Sequence, residues 1–240
     1  QFGDTYFIGD NGVEIKVDQT AIFNGFIYAA TNSGIRRAAI SNKNLIDFNQ
    51  WATIATGAWS KTTAFGTDLY AIDTSGNIHK FNSGSNSFTG IIPLSQPPLD
   101  SRATVDYMII TTLNSVYIYN SQMDLVRQIN TDQIPESKPN FSCATIIGDT
   151  VFIGTKGSGL LTTVLSSATT FENITPIGPS RNSIFALQTA SNLLWAVYGD
   201  YSATYNPYPL DSYGISKLDS SGWLNIPYEK VLNAKSICRV

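Results

Sequence analysis

A short apolar strand recurs along this chain at intervals of about forty residues. GFIYAAT (25–31) returns as TDLYAID (67–73), DYMIITT (106–112), DTVFIGT (149–155) and NLLWAVY (192–198). Anchored on Tyr28, Tyr70, Ile109, Phe152 and Trp195, the steps are 42, 39, 43 and 43 residues. A period of this length marks a repeat architecture and rules out most irregular single-core folds. Each unit keeps the same internal order. A strand precedes the anchor: QTAIFN, KTTAFG, DSRATV, CATIIG, SIFALQ. A third follows it across a turn: GIRRAAI, GNIHKFN, NSVYIYN, GLLTTVL, YGISKLD. A fourth closes the unit: FNQWATI, SFTGIIP, LVRQINT, FENITPI, GWLNIPY. No stretch shows the three-and-four spacing of an amphipathic helix.

Four strands per forty residues predict an all-β chain, a β-propeller of four-stranded antiparallel blades. One such sheet cannot bury both faces by itself, whereas a sheet stacked radially between neighbours can. The branched and aromatic residues of the second strands are therefore expected to form the core between blades. Five full blades are expected at about 20–57, 58–96, 97–139, 140–179 and 180–231, in a single domain. QFGDTYFIG at the start resembles a fourth strand and AKSICRV at the end a first strand, so a partial blade would be shared between the chain ends. The opening without methionine and the two-strand remainder suggest an excerpt of a longer protein.

Composition narrows the function. Only 14% of the 240 residues are charged and the net charge is −3, with no basic run. That excludes a nucleic-acid surface, which needs concentrated Lys and Arg. Two cysteines, Cys143 and Cys238, make no disulfide framework; they are expected to be small buried residues. No 18-residue apolar run exists, so no helix is expected to span a membrane.

Catalytic constellations are scarce. The lone histidine, His79, lies on an expected third strand and is assigned a structural role. GxSxG, HExxH, P-loop and GxGxxG patterns do not occur. KGSGL (156–160) reads as a hairpin turn. DNG (10–12) and DTSGN (73–77) share fragments of calcium loops but lack the remaining oxygen ligands. Lys61, Asp100, Arg102 and Arg181 are the charged candidates on first strands, a mixture suited to an anion-binding rim and not to a carboxylate pair. No catalytic residue, metal or cofactor is assigned, and the chain is expected not to be an enzyme.

One loop breaks the repeat. Between second and third strands most units carry a few residues, TNSG, TSGN or TLN, but the fifth carries GDYSATYNPYPLDSY. Tyrosine offers a flat apolar ring with a polar tip at low conformational cost. Tyr198, Tyr201, Tyr205, Tyr208 and Tyr213 could stack on sugar rings, with Asp200, Asn206 and Asp211 as acceptors and Arg181 on the rim. Pro207 and Pro209 would stiffen the loop. The competing expectation is that the loop folds over the ring and its tyrosines pack internally.

QFGDTYFIGDNG with QTAIFNGFIYAAT, and LLWAVYGDYSATYNPYPLDSYGISKLDSSGWLNIPYEKVLNAKSIC, resemble the propeller region of PorZ-type proteins of the type IX secretion system of Bacteroidota. The likeness is strongest in the C-terminal third. It implies a non-enzymatic component on the outer face of the outer membrane that binds or presents lipopolysaccharide for cargo anchoring. It also implies outer-membrane secretion-complex proteins and other domains of a full-length chain as partners. No binding motif of that family transfers residue by residue, so the tyrosine-loop assignment rests on its own chemistry. The alternative is the extracellular oligosaccharide-sensing propeller of a hybrid two-component regulator, which shares the blade pattern.

Overall fold

The computed structural model describes residues 5–134, 138–167, 170–175, 177–190 and 192–239. Its twenty strands form five four-stranded antiparallel sheets, each strand pairing with the next in sequence. The first sheet holds β1 (Val17–Phe23), β2 (Phe26–Thr31), β3 (Gly34–Ala39) and β4 (Ala52–Ala55). The second holds β5 (Trp59–Phe65), β6 (Asp68–Asp73), β7 (Asn77–Asn82) and β8 (Ser87–Pro93). The third holds β9 (Asp100–Ala103), β10 (Met108–Thr111), β11 (Ser115–Tyr119) and β12 (Leu125–Asn130). The fourth holds β13 (Asn140–Ile147), β14 (Thr150–Lys156), β15 (Leu160–Val164) and β16 (Glu172–Asn173). The fifth holds β17 (Ala186–Ala190), β18 (Leu193–Val197), β19 (Ile215–Asp219) and β20 (Gly222–Ile226). Apart from four short 3-10 turns, no helix interrupts the described strands.

The chain divides into two compact units, residues 1–174 and 175–240. In the first, β1, β5, β9 and β13 lie side by side, each the opening strand of its sheet. Gln19 ties β1 to β5 and β9: its Nε2 donates to Thr62 O at 3.0 Å and Ser101 O at 3.1 Å. The hydroxyls of Thr63 and Ser101 meet at 2.8 Å.

Between sheets of this unit the packing follows one rule. The anchor face of each sheet meets the opposite face of the next. Tyr28 and Ala30 of β2 pack with Leu69 and Ala71 of β6. Tyr70 and Ile72 pack with Met108 and Ile110 of β10. Ile109, with Val116 and Ile118, packs with Val151 and Ile153 of β14. Alternation along a strand sends neighbours to opposite faces, so one second strand serves two interfaces. That is why β10 and β11 are buried at every position.

The five anchors occupy matching register positions on the second strands, opposite Ala21, Thr63, Arg102, Thr145 and Gln188 of the first strands. Tyr28, Tyr70 and Ile109 are buried as expected. Phe152 and Trp195 are only half-buried, which corrects the expectation that the branched and aromatic residues of every second strand form the core between blades.

Four local expectations are also revised. The first strand expected at SIFALQ forms as Ala186–Ala190, about three residues later; Phe185 still donates its N–H to Val197 O, but its ring turns to Tyr201. FENITPI shrinks to Glu172–Asn173, and residue 176 lies outside the described residues. QFGDTYFIG forms no fourth strand over its described residues, 5–9. There the chain turns back at Gly9, whose N–H bonds Val13 O; a Cβ at Gly9 would lie 2.3 Å from that oxygen. Ile8 is instead buried with Ala29, Ala38 and Trp51. AKSICRV forms no strand over 234–239, because its backbone pairs with the tyrosine-rich loop described below; residue 240 lies outside the described residues.

Candidate functional site

Residues 198–214 join β18 to β19, and most of them are organised by their own hydrogen bonds. Tyr201 and Pro207 form an antiparallel bridge. Tyr208 N–H donates to Asp200 O at 2.8 Å, and Ser202 N–H to Asn206 O at 2.8 Å. Inside that tip, the Ser202 hydroxyl accepts from the N–H groups of Thr204 and Asn206. The result is a small hairpin with Tyr205 on its turn, in the left-handed region at φ 59°. Hydroxyl-to-backbone bonds of this kind stabilise tight turns independently of a packed core.

A second set of bonds ties the hairpin base to the chain's last described residues. Gly199 N–H donates to Ile237 O at 2.9 Å, and Ser236 N–H to Asp211 O at 2.9 Å. Asp211 N–H donates to the Ser236 hydroxyl, which donates to Pro209 O. A Cβ on Gly199 would stand 2.5 Å from Ser236 O, so the close approach requires glycine. The buried Cys238 thiol donates to Asp200 O. Burial first, then the nearby Asp200 charge, pushes that thiol's pKa up, so it stays protonated and unreactive. Cys238 is thus buried as expected but off any strand, while Cys143 on β13 is half-buried.

The tyrosines separate into two groups. Tyr198 is withdrawn from the candidate ligand set: it is buried, and its hydroxyl donates to Ser216 Oγ. That serine also accepts from Ser180 N–H at 3.0 Å and donates to Asn225 Oδ1 at 2.6 Å. Tyr213 is half-buried beneath Arg181, whose guanidinium carbon sits 3.8 Å from the ring centroid. Arg181 thereby leaves the first-strand set in which it was expected, since β17 begins at Ala186. Tyr201 is part-exposed and packs edge-on against Phe185, with centroids 5.4 Å apart. Tyr205 and Tyr208 face solvent, 84% and 63% exposed. Asp200 is exposed, and its carboxylate accepts from Tyr201 N–H at 2.7 Å.

Sequence reasoning missed a groove of about 360 Å³ beside this loop, lined by Phe185, Leu187, Gln188, Trp195 and Tyr201. The half-buried Trp195 is explained by it: in this unit the anchor face borders an open groove. The missed signal was Leu187 on β17, with Phe185 just before the strand: at the register of Leu187 the other units carry the smaller Thr20, Thr62, Ser101 and Ala144.

A second cavity, about 570 Å³, lies where the first unit's opening strands meet, lined by Gln19, Thr63, Asp100, Ser101, Arg102 and Thr145 among others. It is polar, but its charges pair with each other: Arg102 Nε donates to Asp100 Oδ2 at 2.7 Å. The anion-binding rim expected there is therefore reduced, because Arg102 is already neutralised along its own strand.

The calcium-like fragments are used internally. Asp73 accepts from Ser75 N–H, Asn77 N–H, Asn77 Nδ2 and His79 Nε2. Burial alone would raise its pKa, but these donors outweigh it and hold the carboxyl below its usual range. His79 stands edge-on to Trp59, centroids 4.7 Å apart. Asp10 pairs with the buried Arg36 at 2.6 and 3.1 Å, and that hydrogen bond, then charge attraction, lowers the Asp10 pKa. KGSGL forms the turn between β14 and β15. Among the described residues, no helix is long and apolar enough to cross a membrane.

No protein-family model matches the chain, and no curated protein matches it. Solved structures do. The class they define is the β-propeller: the CNH domain of AfRom2 superposes with a TM-score of 0.52 at 10% identity, over 93% of this chain and 87% of that one. The particular likeness is to PorZ, a surface component of the type IX secretion system of Porphyromonas gingivalis, with a TM-score of 0.64 at 16% identity. That match covers 92% of this chain and 29% of PorZ, so the chain spans less than a third of the PorZ length. The extracellular domain of a putative hybrid two-component system from B. thetaiotaomicron matches at a TM-score of 0.49 and 14% identity, over 88% of this chain and 34% of that one; at that score the likeness carries no argument. At these identities the shared property is the fold, a PorZ-like β-propeller fold.

Proposed function

We propose that this chain is a non-enzymatic binding module of a bacterial cell surface whose tyrosine hairpin takes a glycan, the polysaccharide of lipopolysaccharide in particular. The observation that carries this is the pair Tyr205 and Tyr208, exposed on a hairpin that holds its own shape. Two aromatic side chains on a preset backbone, with two χ angles each, lose little entropy on binding and can stack on the C–H faces of sugars. Asp200 and Asn206 supply hydroxyl acceptors beside them, and the Arg181–Tyr213 stack adds a fixed cation. The PorZ-like fold is compatible with a place on the outer face of the outer membrane, with secretion-complex proteins and further domains as partners. The absence of enzymatic chemistry in this reading rests on the paired Asp100 and Arg102 and on the hydroxyl-lined opening strands.

The test is a calorimetric titration with delipidated lipopolysaccharide polysaccharide, using the chain and its Tyr205→Ala/Tyr208→Ala variant. Saturable binding that falls about tenfold or more in the variant is expected, since truncating an aromatic anchor at the centre of a binding surface costs on the order of 1–2 kcal/mol or more. Binding unchanged in the variant, or none at all, overturns the site.

A further inference from the structure

The hairpin of residues 198–214 stands on two legs, and residues 236–238 are bonded to both. On the first leg, Gly199 N–H donates to Ile237 O at 2.9 Å, and Asp200 O accepts from the Cys238 thiol at 3.1 Å. On the second, Ser236 N–H donates to Asp211 O at 2.9 Å, and the Ser236 hydroxyl accepts from Asp211 N–H at 3.0 Å. The same hydroxyl donates to Pro209 O. Nearer the tip the legs bond each other directly, Tyr208 N–H to Asp200 O and Tyr201 with Pro207. Residues 236–238 therefore hold the base of the hairpin as a clamp gripping both legs.

Ser236 carries most of that grip. It is 2% exposed and sits in the left-handed region at φ 46°. A serine there is strained, and such strain persists only where the surroundings over-determine it. The surroundings here are the bonds to Pro209 and Asp211. Without the hydroxyl, Asp211 N–H and Pro209 O each lose the partner it provides, and a part-buried polar group left unpaired is costly.

The clamped atoms are next to the ligand-facing side chains. Pro209 follows Tyr208 in the chain, and Asp200 precedes Tyr201. The tip keeps its own shape through Ser202. What the clamp adds is the direction in which that tip leaves the fifth sheet.

We infer that Ser236 is a positioning residue: through Pro209 and Asp211 it holds the hairpin in the one direction in which Tyr205 and Tyr208 meet a glycan. The ligand in this inference rests on the glycan reading above, whereas the clamp rests on the bonding alone. The apparent affinity of a site falls with the fraction of chains in the competent arrangement. Losing a hydroxyl that serves two backbone groups should cut that fraction, and the affinity, about tenfold.

The experiment compares the unaltered chain with Ser236→Ala and Ser236→Gly. Glycine adopts the left-handed backbone freely, so it removes the hydroxyl without the strain. Amide exchange without ligand should be faster over residues 199–211 in both variants and unchanged over β1–β16, and urea unfolding checks that the fold persists. Titration with delipidated lipopolysaccharide polysaccharide should give affinities about tenfold weaker in both variants. At saturating polysaccharide, hairpin exchange should return to the level of the unaltered chain, which a purely structural role for Ser236 would not produce. Exchange over 199–211 that is unchanged in both variants, or normal in Ser236→Gly, overturns the clamp. Faster exchange with undiminished affinity overturns the positioning role. If the unaltered chain binds no polysaccharide, the glycan reading fails and the positioning role with it, while the exchange data still decide the clamp.

Discussion

Tyr28 and Trp195 hold the same place in the forty-residue repeat and have different surroundings. Tyr28 is 1% exposed, held between Phe23 and Phe26 of its own sheet and Phe81 of the next, the last at 5.6 Å. Trp195 is half-buried and borders a groove. The four buried apolar clusters of the described residues belong to the first unit, whereas β17 in the second is exposed at four of its five positions. The repeat therefore sets strand order and register, while burial depends on whether a second sheet lies against the face. Where that cover is thin, the chain spends its side chains on a self-bonded hairpin.

This contrast makes ordered predictions. The largest effect should come from Tyr28→Ala. Removing a buried aromatic typically costs about 3–5 kcal/mol, while Trp195→Ala at the equivalent position should cost roughly half as much or less. Urea unfolding of both variants checks it, and equal losses would break the comparison. Next, Gly199→Ala should cost roughly 1–3 kcal/mol, because the new methyl meets the Ser236 carbonyl. Its signature should be local: faster amide exchange at residues 236–238, with β1–β16 unchanged.

A smaller effect is expected from Asp73→Asn, about 1–2 kcal/mol at neutral pH. The Asp73 pKa is lowered from its ordinary 3.8 in the folded chain. Its contribution is therefore full above that unfolded value and is lost as pH falls through the lower folded one. The variant should show less acid destabilisation, and its difference from the parent chain should vanish at the acid end. The smallest effect on stability, within about 0.5 kcal/mol, belongs to Tyr205→Ala/Tyr208→Ala at exposed positions, where only ligand binding should change.

Much of the fold was legible because its signals are local. The alternation in FIYAAT, DLYAID and VFIGT, with Gly-containing turns between strands, gave all five sheets and their order. The strands at both ends of the chain were misjudged, since QFGDTYFIG and AKSICRV have strand-like composition but find other backbone partners. Sequence pattern cannot choose between a sheet edge and a loop as the partner. The Tyr-rich loop itself was visible by its length. The fate of each tyrosine was not, because Tyr198 and Tyr205 differ only in what lies beside them: Ser216 for one, solvent for the other. Arg181 was misplaced for the same reason, its strand beginning later than the hydrophobic run suggested. The groove at Trp195 is set by the side chains that line it, Phe185, Leu187 and Tyr201 among them, and single-sequence periodicity carries no record of how they come together.

The central claim is that the first unit is scaffold and the hairpin of the second is where the ligand is met. Backbone hydrogen exchange across the whole chain, with and without lipopolysaccharide, tests it most directly. Protection concentrated in residues 198–214, with β1–β16 unchanged, is the predicted result. Protection centred on Gln19, Thr63 and Ser101 in the cavity of the first unit, with the hairpin unaffected, would contradict it.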